Sequence, residues 1–198
     1  MPKSNYRTFE INNHFLEFIE DDHVWIADGI IVPSVSTILK AFFNDYANVS
    51  RSVLEQAREK GTALHSAIEL YETTGQQSDL QEFKNYLFLK KHFKFNVISC
   101  ELPIIYEENG KVLFAGQLDQ IIEMNGKRGI NDLKRVSNPN KDKIALQVNL
   151  YKLGYEQSYH TKIDFLTFTH LREEKRKFNQ LPINESRTRE ILKIYYQE

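Results

Sequence analysis

Cysteine, proline and glycine are scarce in this sequence, with one, five and eight residues among 198. The single cysteine, Cys100, excludes an internal disulfide, a cysteine-held iron–sulfur cluster and a structural zinc site, and it fits a reducing compartment. The few prolines and glycines form no linker, and no internal repeat or low-complexity tract divides the chain. We therefore expect one domain over residues 1–198.

Charge of one sign and long hydrophobic runs are also lacking. The formal net charge is −1, so any nucleic-acid binding has to come from local basic patches. No run approaches the roughly 18 apolar residues that suggest a membrane span, and residues 1–13 lack the apolar core of a secretory signal. No phosphate-binding loop of the form GxxxxGK[ST] is present. We expect a cytoplasmic protein with no membrane partner and no bound nucleotide.

What is present is a hydrophobic pattern typical of an α/β fold. Residues 1–49 contain short strands and one short helix, and residues 50–198 contain the order helix, helix, three strands, helix, strand, strand, helix. The segments predicted in this second block are residues 50–74, 78–94, 97–106, 111–136 (with the hairpin), 141–159, 162–170, 176–183 and 186–196. The order favours a central mixed sheet flanked by helices, with an N-terminal β-rich extension.

An Asn-Gly dipeptide at residues 125–126 fixes the register of the predicted hairpin. Asn-Gly favours a two-residue turn, so the numbers of opposed residues sum to 251. Asp119 then faces Asp132, and Gln117 faces Lys134. Like charges across a strand pair are destabilising, so two acids, an amide and an ammonium suggest a cradle for a hard divalent cation and an anionic substrate. A solvated hairpin whose lysine screens the acids is the alternative.

Two predicted helices carry polar residues beside their apolar stripes. His65 and Glu69 lie four residues apart on the helix over residues 50–74, and Gln147 and Tyr151 lie four apart on a later helix. Each pair therefore shares one helix face. A histidine in such a place is more often structural than a ligand, and Gln147 and Tyr151 can equally be packing residues. Periodicity alone leaves both alternatives open.

Together these motifs resemble the PD-(D/E)XK nuclease superfamily, in its RecB-like exonuclease branch. Residues 132–134, DLK, resemble the acid-X-Lys triplet, and residues 116–119, GQLD, resemble the G-x-x-D strand before it. Residues 61–69, GTALHSAIE, resemble the upstream helix with its histidine, and residues 147–151, QVNLY, the Q-x-x-x-Y helix. Four elements in the family order are far more specific than any one of them.

A further segment narrows the resemblance. Residues 33–39, PSVSTIL, resemble the P-S-V-T-x-I-L segment of phage-type and mitochondrial genome maintenance exonucleases, with Ser36 in place of the threonine. The resemblance implies a restriction-endonuclease-like core. Some relatives hold an iron–sulfur cluster, which Cys100 alone cannot support, so a stand-alone nuclease without a cluster is expected.

The resemblance also implies a metal site for Mg²⁺ or Mn²⁺, with one ion or two. Its ligands would be the side chains of His65, Asp119 and Asp132 and the backbone carbonyl of Leu133. Lys134 would assist the attacking water or stabilise the charged phosphorus centre.

Other residues would support this chemistry. Gln147 and Tyr151 would contact DNA or the active-site lysine. The candidates for supporting the metal ligands from behind are Glu69, Glu101 and Gln117. The candidates for holding phosphates on either side of the cleavage point are Arg135, Lys141 and Lys143.

Two groups of residues lie outside the motifs. The basic runs at residues 90–94 and 172–177 are typical of solvated faces. Phe42, Phe43 and Tyr46 follow the PSVSTIL segment and suit either stacking on the bases of a single-stranded substrate or core packing. Packing is the favoured interpretation for at least two of these three rings.

The expected function is that of a metal-dependent deoxyribonuclease, an exonuclease in recombination, repair or phage DNA processing. The expected partners are a DNA substrate and a recombination or single-strand-binding protein. Two alternatives stay open, namely a catalytically inactive DNA-binding module and an endonuclease on the same core.

Overall fold

The chain, in a computed structural model that describes residues 6–43 and 50–197, forms two sheets and five helices. The strands are β1 Tyr6–Ile11, β2 His14–Ile19, β3 Val24–Ala27, β4 Ile30–Val32, β5 Asn96–Glu108, β6 Lys111–Met124, β7 Lys127–Lys134, β8 Phe165–Leu171 and β9 Arg176–Leu181. The helices are α1 Val35–Phe42, α2 Arg51–Thr74, α3 Gln81–Phe93, α4 Lys141–Tyr159 and α5 Glu185–Gln197. The predicted α/β class and the β-rich N-terminal region are confirmed.

The N-terminal sheet is an antiparallel meander in the order β1-β2-β3-β4. Its turns use residues in the left-handed region, where asparagine, aspartate and glycine are best tolerated. These include Asn12, Asn13, Asp28 and Gly29. Trp25 and other buried side chains of this sheet form one core cluster with residues of β5 and β6, so the extension packs onto the larger sheet.

The larger sheet is mixed, in the order β5-β6-β7-β8-β9. Only the β7–β8 pair is parallel among the pairs described, and helix α4 makes the crossover between these two strands. Successive residues point to opposite faces of a sheet. Accordingly Ile121 and Leu166 pack with α1, α4 and α5, whereas Ile122 and Phe165 pack with α2 and α3. Helices therefore cover both faces of the central sheet.

The Asn-Gly turn forms as predicted. Asn125 and Gly126 have φ angles of 53° and 70°, as a two-residue hairpin turn between twisted strands requires. The register of residue numbers summing to 251 holds from the Met124–Lys127 pair to the Gln120–Asn131 pair.

Beyond the Gln120–Asn131 pair, the predicted register is wrong. The β6–β7 ladder ends at Gln120–Asn131, so Asp119 is not paired with Asp132, nor Gln117 with Lys134. Beyond this point β7 stays paired with β8 alone, up to the Lys134–His170 pair. Two buried carboxylates directly opposed on neighbouring strands would repel each other. The parting of the strands avoids that opposition and makes room between them.

No helix among the described residues is both long and apolar enough to cross a membrane.

Candidate metal centre

Three side chains with metal-ligating atoms meet where β6 and β7 part. His65 comes from α2, Glu101 from β5 and Asp119 from β6. Their ligand atoms all lie within 4.8 Å of one another. Carboxylate oxygens and an imidazole nitrogen are a donor set for a divalent cation. The structure therefore brings together two predicted ligands and Glu101, for which only a supporting role was predicted.

The peptide group of Leu133 links this cluster to β7. The Leu133 N–H donates to Asp119 Oδ2 at 2.6 Å, and the Leu133 carbonyl oxygen lies 3.1 Å from His65 Nε2. His65 Nδ1 is 3.8 Å from both Asp119 Oδ1 and Glu101 Oε1. Burial by itself lowers the pKa of His65, but Asp119 and Glu101 raise it to about 9. The ring is therefore protonated at neutral pH in the absence of metal, and Nε2 donates to the carbonyl.

Asp132 is a fully buried carboxylate, with 0% of its surface exposed to solvent. Its Oδ2 makes an ion-pair contact with Lys134 Nζ at 2.6 Å. The other carboxylate oxygen, Oδ1, has no hydrogen-bond partner among the described residues. Burial raises the pKa of Asp132 to about 6, with Lys134 opposing the shift and Asp119 adding to it. Burial likewise raises the pKa of Asp119.

The environment of Asp119 and Asp132 favours a bound cation. Buried charges are expected to be paired or to coordinate a metal, and a buried carboxylate without hydrogen bonds costs free energy. Asp132 Oδ1 has no hydrogen-bond partner among the described residues, and the pKa values of both Asp119 and Asp132 are raised. The residues present therefore fit a divalent ion, held by His65, Glu101 and Asp119 with Asp132 and the Leu133 carbonyl beside them.

Glu101 enters the cluster through an unusual backbone. Its φ is +50°, in the left-handed region, in the middle of strand β5. For a residue with a β-carbon this conformation costs roughly 1–2 kcal/mol, and such strain concentrates at functional sites. The Gln117 amide donates to Glu101 Oε2 at 2.7 Å, and Arg7 donates to Gln117 Oε1 at 2.7 Å. A polar chain therefore runs from β1 to the metal cluster.

Helix α4 contributes Gln147 and Tyr151. The Gln147 amide donates to the Tyr151 hydroxyl at 3.1 Å. A β-carbon at Gly116 would lie 3.4 Å from the Tyr151 ring and 3.1 Å from Val35, which explains why glycine suits this position of β6. Burial, with Asp119 and Asp132 nearby, holds the pKa of Tyr151 well above its usual value. The hydroxyl therefore keeps its proton.

An open cleft of about 690 Å³ leads to the cluster. One wall is α2, with Arg58, Gly61, Thr62, Ser66 and Glu69. The other wall is the N-terminal sheet, with Arg7, Phe18, Glu20, His23 and Trp25. Most of the predicted site residues line this cleft: Glu69, His65, Glu101, Gln117, Asp119, Gln147 and Tyr151. Asp132 is buried next to it.

The three residues that were predicted to contact phosphate are not among those that line the cleft. Arg135 is 9% exposed and pairs with Glu82 at 2.7 Å, so its charge ties β7 to α3. It does not line the cleft. Lys141 is exposed at the first turn of α4, and Lys143 follows it. For all three residues the contact with phosphate stays a prediction.

The three candidate stacking rings divide as follows. Phe43 packs against the core cluster beneath α1, and Phe42 is 37% exposed. Tyr46 lies outside the described residues.

Sequence reasoning missed two arginines of the cleft. Arg7 belongs to β1 and reaches Gln117 across 110 residues, and Arg58 lies on α2 about two helical turns before His65. For Arg58 the seven-residue spacing from His65 was a usable signal, because residues two turns apart share a helix face. No local signal indicates the long-range contact of Arg7.

Sequence reasoning also missed a network of buried polar side chains that lies beside the acids. Asn131 donates to Gln120 at 2.8 Å and accepts from the Thr169 and Thr167 hydroxyls at 2.8 and 3.1 Å. The Gln120 amide donates to the Tyr86 hydroxyl at 3.0 Å. Tyr86 donates in turn to Glu72, which is ion-paired with Lys90. We call this set, from Asn131 to Lys90, the buried amide network.

Comparisons with known proteins leave the function open. No family model and no curated protein match the chain. Among 29 matching chains of solved structures is the crystal structure of SSO0001, which is 13% identical with a TM-score of 0.49. The match covers 84% of this chain and 75% of that chain. A likeness at this level carries no argument about function, which has to be drawn from the site itself.

Proposed function

We propose that the protein is a Mg²⁺- or Mn²⁺-dependent deoxyribonuclease of the PD-(D/E)XK, RecB-like kind that acts as an exonuclease. The observation that carries the proposal is the pairing of a His65–Glu101–Asp119 cluster with a fully buried Asp132, whose Oδ1 has no hydrogen-bond partner among the described residues. Lys134 stands 2.6 Å from the same acid. This is the donor set and the ammonium that phosphodiester hydrolysis needs.

The residues that would hold the ion are His65, Glu101 and Asp119, with Asp132 and the Leu133 carbonyl adjacent. Held by these residues, a divalent ion would supply neutralisation of phosphate charge and a lowered pKa of bound water. His65 has to release its proton to become a ligand, so metal affinity is expected to rise with pH. Asp119 keeps its Leu133 N–H bond and thereby holds β7 in place beside the cluster.

The chain's own residues supply orientation and positive charge. Asp132 fixes the Lys134 ammonium, which is then placed to stabilise the negative charge that grows on the phosphate. Tyr151 keeps its proton and can donate a hydrogen bond to a phosphate oxygen, while Gln147 holds its hydroxyl. Arg58 and Arg7 on the cleft walls provide further contacts for the backbone of a bound strand.

The inactive DNA-binding module is the weaker alternative. A protein that only binds DNA has no use for two buried acids with raised pKa values and the instability they bring. The cluster of metal-ligating side chains, His65, Glu101 and Asp119, therefore favours catalysis. DNA is the proposed substrate and a recombination or single-strand-binding protein a proposed partner, while an endonuclease on the same core is the second candidate.

The test is degradation of end-labelled linear DNA with Mn²⁺, Mg²⁺ or EDTA. Asp132→Asn and Lys134→Ala are expected to lose at least about 100-fold in rate, as removal of a group that stabilises transition-state charge does. Lys127→Ala, at the exposed turn of the same hairpin, is the matched control and should retain activity. Undiminished degradation by both site variants would contradict the proposal. A covalently closed circle that survives while its linear form is degraded distinguishes an exonuclease from an endonuclease.

A further inference from the structure

Two basic runs that the sequence assigned to solvated faces come together on one surface. They belong to α3 and to β9, which pack against each other. We call this the basic aromatic surface, and its exposed members are Lys84, Phe88, Lys91, His92, Phe93, Lys175, Arg176 and Lys177. None of them lines the cleft that leads to the metal cluster.

The aromatic rings of this surface are poorly covered. Phe88 is 48% exposed and Phe93 is 37% exposed. The Phe88 and His92 rings are nearly parallel, 7° apart with centroids separated by 5.9 Å. The Arg176 guanidinium lies 3.8 Å from the centroid of Phe88, and Phe93 rests on Phe178 at 4.7 Å. Exposed rings held in fixed orientations next to a cation are a ready surface for a flat ligand.

Charge on this surface differs from that of the whole chain. Lys84 and Lys91 lie on the same helix face as Phe88, four and three residues away. Three consecutive cations, residues 175–177, are exposed at the start of β9 and the turn before it, and the exposed acids beside them are Glu173 and Glu174. In a chain of net charge −1 this is a local excess of positive charge. Such a patch favours a polyanion.

The position of the surface relative to the metal cluster is fixed by the sheet. Lys134 pairs with His170 on β8, and His170 pairs with Lys177 on β9. Neighbouring strands are about 4.8 Å apart, so the backbone of Lys177 lies roughly 10 Å from that of Lys134. A nucleic-acid strand that leaves the cleft can span this distance with two or three nucleotides.

We propose that the basic aromatic surface binds single-stranded nucleic acid outside the catalytic cleft. Stacking requires bases with an uncovered face, which a duplex hides within its base pairs, whereas cations along the backbone serve either form. The combination of exposed rings and cations therefore selects the single strand. The proposal rests on the proposed function in that the bound strand is a continuation of the substrate.

Binding is measured by fluorescence anisotropy with a labelled oligothymidylate of about 20 nucleotides, in EDTA so that no cleavage occurs. Phe88→Ala is expected to weaken binding by roughly 5- to 150-fold, the equivalent of one lost stacking contact. The double variant Arg176→Ala/Lys177→Ala should flatten the dependence of log affinity on log salt by about 1.4. The control is Lys111→Ala/Lys127→Ala, which removes two exposed lysines from turns elsewhere and should bind like the unmodified protein. Unchanged melting temperatures establish that the variants fold.

The outcomes separate this inference from the nuclease proposal. Normal binding by both surface variants, or no binding of the oligonucleotide at low salt, overturns the inference whatever the cleavage assay shows. Equal competition by a duplex overturns the preference for the single strand. Loss of binding only in the double variant, with Phe88→Ala unaffected, overturns the stacking role and shows that the surface contacts the phosphate backbone alone. Loss of binding in both variants without any cleavage by the unmodified protein supports the surface and rejects the nuclease.

Discussion

Asp119 and Asp132 lie on the same two strands as Gln120 and Asn131, one residue away, and the fold treats the two pairs in opposite ways. The amides are fully buried, and each has hydrogen-bond partners within the buried amide network. The acids carry charge, and Oδ1 of the buried Asp132 has no hydrogen-bond partner among the described residues. Alternation along a strand directs the two pairs to opposite faces. The amides are thus fully satisfied within the protein, whereas the candidate site keeps a buried carboxylate oxygen without a hydrogen bond among the described residues.

The difference predicts that removing an amide destabilises the protein, whereas neutralising an acid stabilises it. A satisfied buried network stabilises a unique pairing of strands, and it becomes costly only when one member is lost. A buried carboxylate with a raised pKa is costly as it stands. The following changes test this contrast.

The largest effect is expected for Asn131→Ala. It leaves Gln120 and the Thr169 hydroxyl without their buried partner, so the free energy of unfolding should fall by about 3–4 kcal/mol. Urea denaturation measures the change. Asn96→Ala, at the exposed start of β5, is the matched control and should stay within about 0.5 kcal/mol. A loss below about 1 kcal/mol for Asn131→Ala would show that the network does not hold the strands.

Divalent metal is expected to have the next largest effect. At 100 times its Kd, Mn²⁺ should stabilise the folded protein by about 2.7 kcal/mol. Differential scanning fluorimetry reads this as a rise of roughly 5–10 °C in Tm. His65→Ala and Asp119→Asn should abolish the rise, while Glu123→Gln, an exposed acid of β6, should preserve it. Equal stabilisation of all four proteins would mean that the metal binds elsewhere.

Neutralising Asp132 should stabilise the metal-free protein by on the order of 2 kcal/mol at pH 8. Burial raises the pKa of this acid to about 6 from its usual 3.8, so the folded protein holds a proton that the unfolded chain has released. Ionisation of Asp132 therefore lowers the stability of the unmodified protein as the pH rises from about 4 to about 6, a contribution that Asp132→Asn lacks. The raised pKa of Asp132 already includes the opposing effect of its ion pair with Lys134.

Urea titrations of both proteins in EDTA at several pH values check this sign. The stability difference should be greatest above pH 6 and should vanish near pH 4. A variant that is less stable at pH 8 and no different at pH 4 would show that the ion pair outweighs the cost of burial.

The smallest effect concerns the backbone of Glu101. Both Glu101→Ala and Glu101→Gly remove the carboxylate, so their difference isolates the conformation of residue 101. In a strand, alanine is ordinarily the more stabilising residue, but at a φ of +50° glycine should be favoured by about 1 kcal/mol. Thermal unfolding of the two variants decides the order. Alanine equal to or above glycine would contradict a left-handed residue at this position.

Local chemistry explains which parts of the fold were predictable. The Asn-Gly turn has one preferred geometry and therefore determined the hairpin register up to Gln120–Asn131. Helix α4 spans the predicted residues 141–159, and its start is marked by Asn140, whose side chain accepts from the Lys143 N–H at 3.2 Å. In both cases the determining residues lie within a few positions of the feature.

The candidate site was predictable only in part because its final geometry depends on distant contacts. Nothing in the residues near Asp119 indicates that β7 leaves β6 to remain with β8. The left-handed backbone of Glu101 is equally hidden, since glutamate is uncommon in that conformation. The resemblance supplied His65, Asp119 and Asp132, whereas the role of Glu101 as part of the cluster required the structure.

The contact between Arg7 and Gln117 has a consequence for the protein during its synthesis. The two residues are 110 positions apart, so strand β1 leaves the ribosome long before its partner has been made. At roughly 5–20 residues per second, the interval is roughly 5–20 s. Glu101, Asp119 and Tyr151 are all translated within or after this interval. A nascent chain therefore carries an incomplete candidate site until nearly the whole core has emerged.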